Sequence, residues 1–331
     1  MQQFAKHRND YLYFLRLFGS YRYEPKSLME DFTYQDSSDA NLLQLRKQYE
    51  LDHVAGDGDE LSQIMNLMRW VHRTLRHDGS SSNPSPRNAL NIIKVCKEEN
   101  RGVNCRMLAI TLTEVYLAMG YKSRFITCMP MGMDFQDCHV VSIVYARSLE
   151  RWIYVDPTFE AYATDEKGNL LGIEELREDL IRNRAVHLPE TINWNGQPVT
   201  REGYLGYMAK NLFRFSCNAR SEFNVESEPK ERIIYYLHPM NYEPTDEVRL
   251  SDWGDGKVTE CYISNPELFW RRASGVRCNS SMVQAGASSP IASAGSEPSH
   301  GEWRPLRAAS PFVSQVSRGT GSKRSMTPTP R

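Results

Sequence analysis

The sequence predicts an α+β fold in which N-terminal helices pack on an antiparallel β-sheet. Three observations lead there. Apolar residues recur at helical spacing from Leu61 to Leu75, and again from Leu108 to Met119. Past Gly120 the period changes to that of strands, in three runs rich in β-branched and aromatic residues: Arg124 to Met129, His139 to Tyr145 and Arg151 to Val155. At 331 residues and 40% hydrophobic, the chain can bury one good core and a smaller appended unit.

Four segments follow in order. Residues 1–58 read as a helical region, with Tyr11, Phe14, Leu15 and Phe18 forming one amphipathic stripe and Leu42, Leu45 and Tyr49 another. Residues 59–185 carry the core. There Asp59 starts a helix, Gly79 to Pro86 is a loop by composition, and Ala89 to Cys96 forms a second helix. A third helix begins at Cys105 and stops at Gly120, which can take the left-handed cap conformation. Asp57 to Glu60 lacks the rest of a calcium loop and reads as the turn before a helix, while Asp165 to Asn169 reads as a hairpin turn. Residues 170–185 are helical, and residues 186–276 form an extension packed on the core. Residues 277–331 shift to Ser, Ala, Gly, Pro and Arg, which cannot bury enough surface to offset ordering entropy, so this tail is expected to be disordered.

The formal net charge of -1 provides no basic field for nucleic acid, and no apolar run reaches the roughly 18 residues of a membrane span. Neither nucleic acid nor membrane is an expected partner. The N-terminus lacks the pattern of a secretory signal, and the seven cysteines are odd in number and scattered. They are expected to be reduced, and the cytoplasm is the expected compartment.

The chemistry centres on Cys105, His139 and Asp156. A thiol becomes a strong nucleophile when a base takes its proton and a third group orients the base. Cys105 opens a helix, where unpaired N–H groups and the dipole favour an anion. His139 opens one strand and Asp156 closes the next, and a reversal within Ala146 to Glu150 brings the two together. Pro157 ends the ladder. Taken singly, each residue has a structural reading: a small buried hydrophobe, a polar strand start, a turn former. Their joint order points to catalysis.

Four motifs in succession, Cys105 to Ala109, Gly120 to Phe125, Asp137 to Val141 and Trp152 to Thr158, resemble those of the transglutaminase-like superfamily over roughly residues 60–160. The resemblance implies a papain-like fold with Cys105 as nucleophile, His139 as base and Asp156 as its orienter. Animal transglutaminases place a tryptophan upstream as an oxyanion donor, and the comparable stretch Pro86 to Leu90 has none. Asn88 and Asn104, with the Cys105 N–H, are the candidate oxyanion donors. Gly102 stands three residues before Cys105, where the superfamily usually has glycine two before. Arg124 matches a superfamily position and is expected in a structural salt bridge.

No CxxC or HxxxH pair is present, so no metal is expected from Cys105, Cys128, Cys138 and His139, and no cofactor is expected. Cys138 is expected in the core, and Trp70 is expected to pack in its helix. The expected function is a cysteine enzyme that forms a thioester on a peptide or amide carbonyl of a protein or peptide substrate. Hydrolysis by water is favoured because the chain lacks the extra β-domains of animal transglutaminases. The alternatives are amine transfer to glutamine carbonyls, and a non-catalytic binding module that keeps the fold.

Overall fold

The computed structural model describes residues 1–22, 31–132, 138–228, 232–240, 242 and 258–271. The tail expected over 277–331 lies outside the described residues. In chain order the elements are α1 (Gln2–Lys6), α2 (Arg8–Phe18), β1 (Thr33–Tyr34), α3 (Ala40–Gln48), α4 (Leu51–Ala55), α5 (Glu60–Thr74), α6 (Ala89–Glu98), α7 (Cys105–Ala118), β2 (Ser123–Met129), β3 (His139–Ala146) and β4 (Arg151–Val155). They continue with α8 (Ile173–Ile181), β5 (Asn193–Trp194), β6 (Gln197–Pro198), α9 (Arg201–Asn211), β7 (Arg214–Asn218), β8 (Arg220–Ser221), β9 (Arg232–Leu237), β10 (Val258–Ile263) and α10 (Pro266–Arg271).

Helix starts follow side-chain chemistry. Asp59 accepts the Ser62 N–H, Asn88 the Asn91 N–H and Asn104 the Met107 N–H, each capping a helix whose first amides lack intrahelical partners. The Asp57 to Glu60 stretch is thus the turn that opens α5. Gly120, at φ 80, follows the end of α7 in the left-handed region. In the Asp165 turn, the Asp165 carboxylate accepts the Lys167 and Asn169 N–H groups.

Six strands form one sheet in the order β10-β9-β7-β2-β3-β4. β2, β3 and β4 are an antiparallel meander, and its second reversal runs through Arg147 to Glu150. β9 and β10 run parallel, Arg232 opposite Val258 and Leu237 opposite Ile263. The sheet is therefore mixed, which corrects the purely antiparallel expectation. Connection length explains the difference: the stretch 238–257 is long enough for the crossover that a parallel pair requires, whereas a short reversal can join only antiparallel neighbours.

Alternation along the strands sorts two apolar layers. Phe125, Val140, Val144, Ile153 and Val155 face a cluster built with α3, α4, α5, α6 and α7. Ile126, Cys128, Val141, Ile143 and Tyr154 face the other way, toward α2, α8, α9 and α10. Every residue of α7 from Arg106 to Ala118 is buried, because the sheet covers one side of this helix and other helices the rest. Ala109 permits close contact with the sheet, and the Ser142 hydroxyl donates to the Ala109 carbonyl at 3.1 Å.

Two local expectations are corrected. On α2 it is Leu12 and Leu15 that are buried, while Phe14 and Phe18 are exposed. Periodicity reveals a helix, but the facing elements choose which stripe is covered. Arg124 is buried over the Phe32 ring, 3.8 Å from its centroid, with Nη1 on the Cys217 sulfur and Nη2 on the Phe269 carbonyl. Among the described residues it has no carboxylate partner, so cation–π contact replaces the expected salt bridge. Trp70 packs on Tyr49, their ring centroids 5.5 Å apart.

Candidate active site

Cys105 is the first residue of α7, a position whose N–H has no acceptor within the helix. His139 is the first residue of β3, and Asp156 follows the last residue of β4. Because Ser142 pairs with Val155, continuing that register sets Asp156 diagonal to His139 at the same end of the sheet. Both side chains fall on the face that Val141 and Tyr154 share with α9. His139 Nε2–H donates to Asp156 Oδ2 at 2.7 Å, with both residues almost fully buried. A carboxylate only accepts, so this bond assigns the Nε2 proton and leaves Nδ1 as the ring nitrogen open to the Cys105 thiol, whose charge acts on His139.

Asp156 is held on every side. Oδ1 accepts the Thr158 N–H at 2.9 Å, and Oδ2 also accepts the Tyr204 hydroxyl at 2.9 Å. Tyr154 and Tyr204 are joined through their hydroxyls. Burial, reinforced by the Asp156 charge, holds the Tyr204 phenol well above its ordinary range, so it stays a donor. The Phe159 and Tyr207 rings flank His139 with centroids 5.7 and 5.1 Å away. Tyr204 and Tyr207 come from α9, far along the chain, and no motif marked them.

Charge in the centre is set by opposing effects. Burial pushes the Cys105 thiol up, but hydrogen bonds with His139 and His77 bring it down to about 6. Burial pushes His139 down, yet Asp156 and the Cys105 sulfur raise it to about 10. Near neutrality the favoured arrangement is a thiolate beside an imidazolium.

His77 is a second histidine on the sulfur that the sequence reading passed over; its only signal is its place just past the end of α5, in His77-Asp78-Gly79. The remaining predicted residues occupy structural positions. Asn88 caps α6 and donates to Asn224 Oδ1 at 3.2 Å. Asn104 caps α7 and donates to Asn83 Oδ1 at 2.7 Å. Cys138 is half-buried and packs against apolar clusters on both sides. Among the described residues, no group of three or more His, Cys, Asp or Glu is placed to hold a metal, and no helix is long and apolar enough to cross a membrane.

Behind the centre, His72 links the two sides. Its Nδ1 meets the Pro157 carbonyl at 2.9 Å, and its Nε2 meets Asn193 Oδ1 at 2.8 Å. Asn193 Nδ2 in turn donates to Glu160 Oε2 at 3.1 Å. The loop after Asp156 is thereby tied to α5 and to the β5–β6 hairpin.

No curated protein matches the chain. Among solved structures the chain is similar to a candidate cysteine protease from Cytophaga hutchinsonii, at 15% identity and a TM-score of 0.30 over 55% of this chain and 63% of that one. The chain thus spans less than two thirds of that protein. Residues 47–157 match the family described as the transglutaminase-like superfamily. That stretch contains Cys105, His139 and Asp156, so all three residues of the centre fall within the part of the chain that is similar to this family.

Proposed function

We propose that the protein is a cysteine enzyme acting on a peptide or amide carbonyl, with Cys105 as nucleophile, His139 as acid and base, and Asp156 as the group that orients His139. The observation that carries this reading is the chain of contacts from sulfur to imidazole to buried carboxylate, with the thiol held at about 6. The sulfur attacks the carbonyl, the carbonyl oxygen takes negative charge near the start of α7, and the His139 proton passes to the departing amine. A thioester on Cys105 remains. Water, activated by the now neutral His139, releases the acid and restores the thiol; this hydrolysis makes the protein a peptidase or amidase. Water needs no acceptor site, whereas release to a lysine amine, the transglutaminase reaction, requires one.

The test uses a glutamine-containing peptide library with and without an added primary amine, followed by mass spectrometry. Deamidated or cleaved products that are lost in Cys105→Ala and His139→Ala support hydrolysis. Amine adducts that outcompete hydrolysis replace it with transfer. No product, together with a Cys105 thiol no more reactive than a free cysteine, leaves the fold as a binding module.

A further inference from the structure

His77 is built into the same centre from two sides. Its neighbours are laced to the loop before Cys105: the Asp78 N–H donates to the Val103 carbonyl at 2.8 Å, and the Val103 N–H donates to the Arg76 carbonyl at 2.9 Å. Gly102 makes this approach possible, since a Cβ there would stand 2.7 Å from Asp78 Cβ and 2.8 Å from the Arg76 oxygen. On the other side, the β5–β6 hairpin grips His77 at three points. Asn195 Oδ1 accepts its N–H at 2.8 Å, Asn195 Nδ2 donates to its carbonyl at 2.9 Å, and Trp194 Nε1–H donates to its ring Nδ1 at 2.9 Å. The two turn residues of that hairpin, Asn195 and Gly196, both have positive φ, at 51° and 80°, as a tight hairpin turn requires.

The Trp194 contact decides the tautomer. An indole N–H can only donate, so Nδ1 of His77 accepts and the ring proton sits on Nε2. The pairing of His77 with Val103 sets it beside the start of α7, where it lowers the Cys105 thiol, and with Nδ1 engaged by Trp194 the nitrogen left to meet the sulfur is the protonated Nε2. The two histidines are wired in opposite senses. His139 presents Nδ1 to the sulfur and can take its proton, whereas His77 presents an N–H that only donates.

Building on Cys105 as nucleophile, we propose that His77 is a further catalytic residue, a hydrogen-bond donor fixed in its Nε2–H form by Trp194, which stabilises negative charge on the sulfur and then on the substrate oxygen. When the sulfur pair forms the S–C bond, the carbonyl π pair moves to oxygen, and His77 Nε2–H bonds that oxygen without giving up its proton. When the C=O bond re-forms, the C–N bond breaks and the amine leaves with the His139 proton. The Cys105 N–H supplies the second donor.

The experiment follows alkylation of Cys105 by iodoacetamide against pH, read on the Cys105 peptide by mass spectrometry, in wild type, His77→Ala, His77→Gln and His139→Ala. The wild-type midpoint is expected near 6. His77→Ala raises it by about one pH unit, the scale of one hydrogen bond to a charged group. His77→Gln, whose amide N–H can replace Nε2–H, recovers most of that shift, which it could not do for a base. Coincident wild-type and Ala profiles, or equal shifts in Ala and Gln, overturn the proposal. Imidazole ¹⁵N spectra of the wild type supply a test that needs no variant: an Nε2–H tautomer at His77 supports the proposal, and an Nδ1–H tautomer overturns it. Failure of the nucleophile reading shows separately, as a wild-type thiol of ordinary reactivity or a His139→Ala profile that matches wild type.

Discussion

Replacing Asp156 with Asn keeps the shape of the site and removes its charge. The buried carboxylate accepts three hydrogen bonds, from His139 and Tyr204 on Oδ2 and from Thr158 on Oδ1. Asparagine has one acceptor oxygen. If that oxygen faces His139, the Asn NH2 meets the Thr158 N–H; if it faces Thr158, the NH2 meets His139 Nε2–H, and His139 must move its proton to Nδ1, where it can no longer take the thiol proton. Even in the better orientation, a charge-assisted bond becomes a neutral one, a loss of about 1–2 kcal/mol, or roughly one pH unit in the thiolate–imidazolium equilibrium. The sign is fixed by both partners. Cys105 lies below its ordinary 9.0, so the stability it contributes is present above that value and lost as pH falls through about 6. His139 lies above its ordinary 6.5, so its contribution is present below 6.5 and lost as pH rises through about 10. The ion pair therefore persists between about pH 6 and 10. In Asp156→Asn the acid limb of Cys105 alkylation is expected to move up by about one unit, cutting the rate near pH 6 roughly fivefold, and roughly tenfold well below it. An acid limb that stays in place would refute the role assigned to Asp156.

Two further outcomes follow from the packing around the site. Tyr204→Phe removes the hydroxyl that donates to Asp156 and joins Tyr154; it should lower stability by about 1–2 kcal/mol in urea denaturation, and an unchanged midpoint would show that the buried hydroxyl chain contributes nothing. Gly102→Ala puts a methyl against Asp78 and the Arg76 carbonyl, so it should cost about 1–3 kcal/mol and loosen His77. Amide exchange at Val103 and Asp78 would report this as faster exchange, and unaltered protection at both would contradict the close approach.

Much of the core was legible because its signals are local. Asp59, Asn88 and Asn104 mark helix starts by their own side chains, and Cys105 sits where loop chemistry ends. The β2, β3 and β4 boundaries follow from β-branched runs and short reversals, and the hairpin between His139 and Asp156 is a matter of counting residues. The parallel pairing of β9 with β10 was not legible, because register across a long connection is settled by neighbours and leaves no periodicity of its own. The exposed Phe14 and Phe18 show the same limit on a helix.

By itself the sequence determined the α+β order, the cysteine at a helix start and the His139 and Asp156 strands, because each depends on residues close together in the chain. Only the tertiary structure decided what completes the centre. Tyr204 and Tyr207 arrive from α9 on the face of His139 and Asp156, and Trp194 and Asn195 arrive from a hairpin to orient His77. Those contacts depend on close approach, as at Gly102, and on donor and acceptor geometry between segments more than a hundred residues apart in the case of His77 and Asn195, which no local pattern encodes.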